Sequence, residues 1–133
     1  MVEQKHPESD IDKNLEFEFI DDIVICRFLG RNVTMDFAVM AVKKRLEITK
    51  GKDWKVLICV SNITSVPKPV RDYLSSDEAK QGIKASAIIS NSPISNMIIN
   101  FFLGINDISK EDFPAKVFSS EEKGLKWLKK LDV

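Results

Sequence analysis

The stretch Trp54–Pro69, "WKVLICVSNITSVPKP", decides the fold class. Its first half, Trp54–Ser61, is apolar, rich in β-branched residues and too short for a helix of its own, which is typical of a strand buried on both faces. Two prolines follow a polar loop, and Pro67 and Pro69 disfavour helix before them and suit the first turn of a helix after them. A buried strand followed by a helix is the repeating unit of an α/β fold with a parallel sheet.

Upstream of this unit the sequence predicts a β-hairpin and a helix. Leu15–Ile20 alternates apolar and acidic residues with the period of a strand, and Ile23–Gly30 is a nearly continuous apolar strand. The short link Asp21–Asp22 is a turn signal, so the two strands pair as a hairpin. A helix then begins with Thr34 as its N-cap and ends at Gly51.

Downstream, one helix is expected from the Pro67–Pro69 turn to Gly82, followed by a strand over Ile83–Ser90. Next comes a helix over residues 93–104, with Ser92 as its N-cap, Pro93 in its first turn and Gly104 after its end. The strand Ala115–Ser119 precedes a last amphipathic helix. That helix is capped by Ser119 or Ser120 and turns Leu125, Trp127, Leu128 and Leu131 inward.

The predicted order is therefore β-β-α-β-α-β-α-β-α. Strands and helices that alternate after an opening hairpin predict a single α/β domain with a mixed sheet, parallel at its centre and covered by helices. The polar residues 1–14 are expected to form a flexible N-terminal tail, and residues 15–133 the domain.

The segment Ala85–Asn106 contains no charged residue, although 30% of the chain is charged. A membrane-spanning helix needs about 20 unbroken apolar residues, and "SNSP" divides this segment into a strand and the helix 93–104. Apolar residues cover more than half of that helix's circumference, which is more than packing on one sheet needs. A neighbouring helix, another subunit or an apolar ligand would cover the surplus. The candidate interaction residues are Ile94, Met97, Ile98, Phe101, Phe102 and Ile105.

Composition disfavours several classes of function. Lys+Arg and Asp+Glu are both 20, so the chain lacks the basic excess of most nucleic-acid binders. The single histidine, His6, lies in the tail, and no glycine-rich phosphate loop is present. Cys26 and Cys59 lie in strands as small hydrophobic residues. We therefore expect no catalytic residues, no metal and no cofactor. The N-terminus lacks an apolar signal segment, which suggests a cytoplasmic protein.

Two polar loops follow predicted central strands and lead into helices, "SNITSVPKP" and "SNSP". In parallel sheets, ligands bind outside the carboxyl ends of the strands, and helix N-termini favour anions. The loops therefore suggest a site for a small polar or anionic ligand, or a phosphorylated hydroxyl. The alternative is that Ser and Asn serve only as local turn and cap residues. The candidates are Ser61, Asn62, Thr64, Ser65, Ser90, Asn91 and Ser92.

The ending "FPAKVFSSEEKGLKWLKKL" resembles the pattern Pro-x-x-x-Phe-x-(Ser/Asp)-x-Glu-x-Ala-x-x-Trp-Leu. That pattern closes small STAS-like domains related to the bacterial anti-sigma-factor antagonists. Residues 83–106 resemble the penultimate strand and helix of the same group. The resemblance implies a non-catalytic module that binds protein partners, in some members under control of Ser or Thr phosphorylation. The loop after Cys59 lacks the Asp-Ser-Ser-Gly or Asp-Thr-Ser-Gly pattern of the phosphorylated antagonists.

Two hypotheses follow. In the first, the chain is a regulatory interaction module that forms a dimer through the helix 93–104 and binds a further protein partner. In the second, it carries or senses a small apolar or anionic ligand at the carboxyl ends of the central strands. Neither hypothesis involves nucleic acid or membrane insertion.

Overall fold

The computed structural model of the chain describes residues 14–91 and 113–133. The predicted tail, apart from Asn14, and the predicted helix 93–104 lie outside these residues. The strands are β1 (Leu15–Ile20), β2 (Ile23–Phe28), β3 (Trp54–Cys59), β4 (Ile83–Ile89) and β5 (Ala115–Phe118). The helices are α1 (Met35–Ile48), α2 (Lys68–Leu74), α3 (Asp77–Lys80) and α4 (Glu121–Lys130).

The described strands form one five-stranded sheet in the order β1-β2-β3-β4-β5. β1 and β2 pair antiparallel, and each later strand pairs parallel with the one before it. The hairpin turns through two residues, and Asp21 adopts a left-handed conformation with φ of 53°, which aspartate tolerates better than most residues. The mixed sheet with a parallel centre is confirmed.

The predicted helix ends follow from local hydrogen bonds. The Thr34 hydroxyl accepts a hydrogen bond from the Phe37 amide and caps α1, as expected. Between the two serines offered by the sequence, the structure selects Ser120, which accepts from the Lys123 amide and caps α4. Gly51 has φ of 71°, a conformation that glycine adopts without the penalty a Cβ would bring.

The single helix predicted between Pro67 and Gly82 is wrong, because the segment forms α2 and α3 with a break between them. Ser76 causes the break. Its hydroxyl donates to the carbonyl of Tyr73 and accepts from the amide of Ala79, so it closes the first helix and caps the second. Serine competes in this way with the helical hydrogen bonds of the backbone.

Helix α4 covers one face of the sheet very closely. Gly124 makes this possible, since a Cβ at that position would lie 2.7 Å from Ile89 Cδ1 and 3.3 Å from both Ala87 Cβ and Leu57 Cδ1. Leu128 is fully buried in the same cluster, and Leu125, Trp127 and Leu131 pack around it partly buried. The inward face predicted for this helix is thus present, and its glycine serves packing.

Helix α1 packs over the opposite face of the sheet. Phe37, Ala38 and Ala41 are buried with Leu15 and Ile63. A buried cation also anchors this helix, because Arg45 donates to the carbonyls of Ala79 and Gln81 at 2.8 and 2.9 Å. Those carbonyls close α3, and a cation suits the negative end of a helix dipole.

Candidate functional site

The loops that follow β2 and β3 lie side by side at the carboxyl edge of the sheet. The amide of Thr64 donates to the carbonyl of Arg31 at 2.8 Å, and the amide of Val33 donates to the carbonyl of Ser65 at 3.0 Å. Asn32 and Ser65 form a parallel bridge. The parallel pairing of the two strands therefore continues beyond their ends and holds the two loops together.

Two of the predicted ligand-binding side chains take part in this contact. The Asn62 amide nitrogen donates to the carbonyl of Leu29 at 3.3 Å, and the Thr64 hydroxyl donates to the carbonyl of Arg31 at 3.4 Å. Ser65 is exposed and Ser61 is half-buried. Asn62 and Thr64 thus have a structural use, which favours the turn-and-cap interpretation for these two residues.

The loop after β4 reaches the same edge of the sheet. The amide of Val60 donates to the carbonyl of Ile89, and the amide of Ser90 donates to the carbonyl of Phe118, both at 2.9 Å. Ser90 is buried and Asn91 is exposed. The two Ser-Asn pairs are therefore brought to neighbouring positions, as the parallel topology requires. Ser92 and the six interaction residues between Ile94 and Ile105 lie outside the described residues.

A cavity of about 200 Å³ opens beside the N-terminus of α1. It combines four apolar side chains with polar groups from the chain entering β1 and from the loop after β2. The aromatic rings of Phe28 and Phe37 meet edge to face in its wall, with centroids 5.4 Å apart. The lining residues are Asn14, Phe28, Gly30, Asn32, Val33, Thr34, Phe37 and Ile63.

Sequence reasoning missed this cavity. The predicted site residues follow β3 and β4, whereas most of the cavity wall comes from the loop after β2 and the start of α1. The available signal was the loop Gly30–Thr34, which also follows a parallel strand and also enters a capped helix. The general rule for parallel sheets applies equally to that loop.

A cluster of ion pairs lies on the face of the sheet opposite to α1. Arg27 binds Glu121 through two parallel hydrogen bonds, Nε to Oε2 at 2.7 Å and Nη2 to Oε1 at 2.9 Å. Its remaining nitrogen lies 2.9 Å from Glu18 Oε1 and 3.6 Å from Glu16 Oε1. The hydrogen bond from Arg27 holds the pKa of Glu121 below its ordinary value, and the hydrogen bond to Glu121 raises the pKa of Arg27.

The two cysteines are both free, and the half-buried Cys59 hydrogen-bonds to Glu121 in the ion-pair cluster. Burial raises the pKa of Cys26 to about 12, so this thiol stays protonated at neutral pH. Within residues 14–91 and 113–133, no three His, Cys, Asp or Glu side chains converge as metal ligands do. The helices in this part of the chain are all too short or too polar to cross a membrane.

One protein family matches almost the whole domain. The model of the family described as Domain of unknown function (DUF7793) covers residues 17–132. The chain belongs to the DUF7793 family. No curated protein matches this DUF7793 chain.

A solved structure agrees with the fold of the DUF7793 chain. It is the crystal structure of an uncharacterised protein of the DUF3478 family with a SpoIIAA-like fold, from Shewanella loihica PV-4. The two share 13% identity, and the match covers 86% of this chain and 91% of that one with a TM-score of 0.63. At this identity the likeness carries the fold alone. The DUF7793 chain thus has the SpoIIAA-like, or STAS-like, fold that its final strand and helix suggested.

Proposed function

We propose that this chain is a non-catalytic STAS-like module that binds a small ligand in the cavity beside α1. The main support is the cavity, which lies at the carboxyl end of a strand and the start of a helix. Parallel α/β sheets most often bind ligands at such positions. The STAS-like fold supports a binding role, since such domains in general act without catalysis.

The chemistry of the candidate groups also supports binding over catalysis. The Thr64 hydroxyl donates a hydrogen bond to the carbonyl of Arg31, and a backbone carbonyl does not act as a general base. Cys26 is buried as a neutral thiol with its pKa raised to about 12. A nucleophile needs either a neighbouring base or a lowered pKa, and neither of these two groups has one.

The wall of the cavity indicates the kind of ligand. Pockets for drug-sized ligands occupy roughly 300–1,000 Å³, so a cavity of about 200 Å³ suits a smaller molecule. Phe28, Phe37 and Ile63 favour an apolar, flat body, while Asn14 and Asn32 offer amide groups for one polar end. The ligand we propose is a small amphipathic molecule.

Native mass spectrometry of the protein purified from its own cells, together with two variants, tests this proposal. A Cβ at Gly30 would meet the side chain of Asn14 at 3.4 Å, an ordinary contact, so Gly30→Ala should leave the cavity open. Gly30→Leu should fill part of it. We expect a co-purifying mass with wild type and Gly30→Ala that is absent from Gly30→Leu. Equal loading of all three proteins, or apo protein throughout, would count against the cavity as the site.

Self-association is the second candidate function, and a sequence observation favours it. The helix expected from the sequence over residues 93–104, which lies outside the described residues, would carry more apolar surface than packing on one sheet needs. We propose that Met97 and Phe101 contribute to a dimer contact. Light scattering after size-exclusion chromatography should give twice the mass of the 15.1 kDa chain. A monomer at 100 µM would refute the dimer without bearing on the cavity.

A further inference from the structure

The outer edge of β1 presents backbone groups that can pair with another strand. β1 is the terminal strand of the sheet, and the described residues place no strand on its outer side. The Leu29 amide donates to the Asn14 carbonyl at 2.8 Å, so Asn14 turns its backbone groups toward β2. Along a β-strand, the N–H and C=O groups of successive residues point alternately to one edge and to the other. The groups of Glu16 and Glu18 therefore also point toward β2, and those of Phe17 and Phe19 point outward.

This edge lacks most of the devices that usually block an exposed strand. Proteins protect edges with lysine, proline, bulges or very short strands. β1 contains neither lysine nor proline, spans six residues and pairs with β2 without a break in register. Within β1 itself the protection is limited to acidic side chains, and these repel acidic strands but attract basic ones.

The two sides of β1 differ in chemistry. On one side Phe19 is 46% exposed and lies edge to face on Trp54, with ring centroids 4.9 Å apart. On the other side the carboxylates of Glu16 and Glu18 are 56% and 48% exposed. These two carboxylates and Glu121 surround a single cation, Arg27, so this side carries two negative charges in excess.

We propose that the β1 edge binds an extended segment of a partner protein in which apolar residues alternate with Lys or Arg. Such a segment would add a sixth strand, with main-chain hydrogen bonds to Phe17 and Phe19 supplying affinity. Its apolar side chains would lie beside Phe17 and Phe19, and its cations beside Glu16 and Glu18. A second copy of β1 is disfavoured, because it would bring like charges opposite each other.

The probe is the capped peptide acetyl-Thr-Lys-Val-Lys-Val-Lys-Val-Lys-amide, titrated into the full chain. A control peptide has the same composition, with its lysines grouped at one end so that the alternation is lost. We expect the alternating peptide to bind at least tenfold more tightly than the control. Binding should weaken as salt is raised from about 0.05 to 0.5 M, since screening weakens exposed ion pairs. Equal affinity for both peptides would reduce the effect to unspecific charge attraction and overturn the proposal.

Amide hydrogen exchange locates the peptide on the chain. In the free protein the amides of Phe17 and Phe19 should exchange fast, whereas those of Glu16 and Glu18 are protected by β2. The peptide should slow the first pair and leave the second pair unchanged. Slow exchange at Phe17 and Phe19 before peptide is added would mean that the edge is already covered. Protection that rises with protein concentration would indicate a second copy as the occupant, and either result overturns the proposal.

Two double variants test whether the carboxylates of β1 themselves contribute to peptide binding. Glu16→Gln with Glu18→Gln leaves the Arg27–Glu121 pair intact and should weaken peptide binding about three- to tenfold, as expected for two cross-strand charge pairs. The control, Glu47→Gln with Asp77→Asn, removes the same charge at exposed positions on α1 and α3 and should bind like wild type. Equal weakening by both double variants would overturn the proposed contact.

Discussion

The two faces of the sheet are covered in different ways. Helix α4 lies against its face through Gly124 and the fully buried Leu128, and a Cβ added at Gly124 would lie only 2.7 Å from Ile89 Cδ1. Helix α1 buries Phe37 together with the small Ala38 and Ala41, and a cavity of about 200 Å³ lies beside its N-terminus. Among the described residues, the closest helix–sheet contact thus belongs to the α4 face and the cavity to the α1 face.

Truncating the tight face should have the largest effect. Leu128→Ala removes a side chain that is fully buried against the β3–β4 part of the sheet. The free energy of unfolding should fall by about 4 kcal/mol, because lost burial and a new cavity both count. Urea unfolding followed by circular dichroism measures this change. A loss below about 1 kcal/mol would mean that the face tolerates voids and that the contrast between the faces is wrong.

The face covered by α1 contains a buried cation, Arg45. Removing its charge should have the next largest effect. Arg45→Met keeps a long side chain but leaves the carbonyls of Ala79 and Gln81 without their donor. We expect a loss of about 3 kcal/mol in the free energy of unfolding, since the buried carbonyl of Ala79 and the partly buried carbonyl of Gln81 would both be left unsatisfied. Arg45→Lys is the matched control and should recover part of the loss. If the Arg45→Met and Arg45→Lys variants unfold at the same urea concentration, the hydrogen bonds of this side chain contribute little to stability.

Enlarging the glycine tests the close approach of α4 directly. In Gly124→Val the added atoms would overlap Ile89 Cδ1 and crowd Ala87 Cβ. The strain of overpacking should exceed the gain in helix propensity and lower the free energy of unfolding by about 2 kcal/mol. Lys126→Val on the exposed side of the same helix is the control, with a change of a few tenths. A Gly124 variant more stable than wild type would show that α4 can move outward at little cost.

The smallest effect concerns pH. The folded pKa of Glu121 is lowered by Arg27 from an ordinary value of 4.5, so this pair stabilises the fold above pH 4.5. The stabilisation should fade as the pH falls below 4.5 and through the lowered folded pKa. Because the carboxylate is partly exposed, its contribution is below about 1 kcal/mol. Glu121→Gln should be less stable than wild type at pH 7 and similar to it near pH 2; a constant difference would contradict the pair's role.

Much of the fold could be predicted because its signals are local. The period-two alternation of Leu15–Ile20, the Thr34 cap and the apolar run of Trp54–Cys59 each act within a few residues of themselves. The break at Ser75–Ser76 was missed although its cause is also local. The apolar spacing of Val70, Tyr73 and Ala79 continues across Ser76 as if one helix ran through it. The cap at Ser76 is therefore not apparent from the apolar pattern.

The candidate site was predicted less well, because its side chains are used by distant parts of the chain. Asn62 and Thr64 were correctly placed at the carboxyl edge of the sheet, yet they donate to carbonyls 33 residues away. The cavity joins Asn14, Ile63 and the start of α1. The periodic pattern of apolar residues in a sequence does not indicate where a cavity remains after helices and strands have packed together.

The sequence by itself determined the five strands, the Thr34 cap and a sheet that is parallel at its centre, since these depend on short-range preferences and on element order. Only the tertiary structure decided that Gly124 serves as a contact surface, that Arg27 pairs with a carboxylate 94 residues away, and that a cavity remains beside α1. The physical reason is that close packing and charge pairing depend on distances in space, which separation along the chain does not encode.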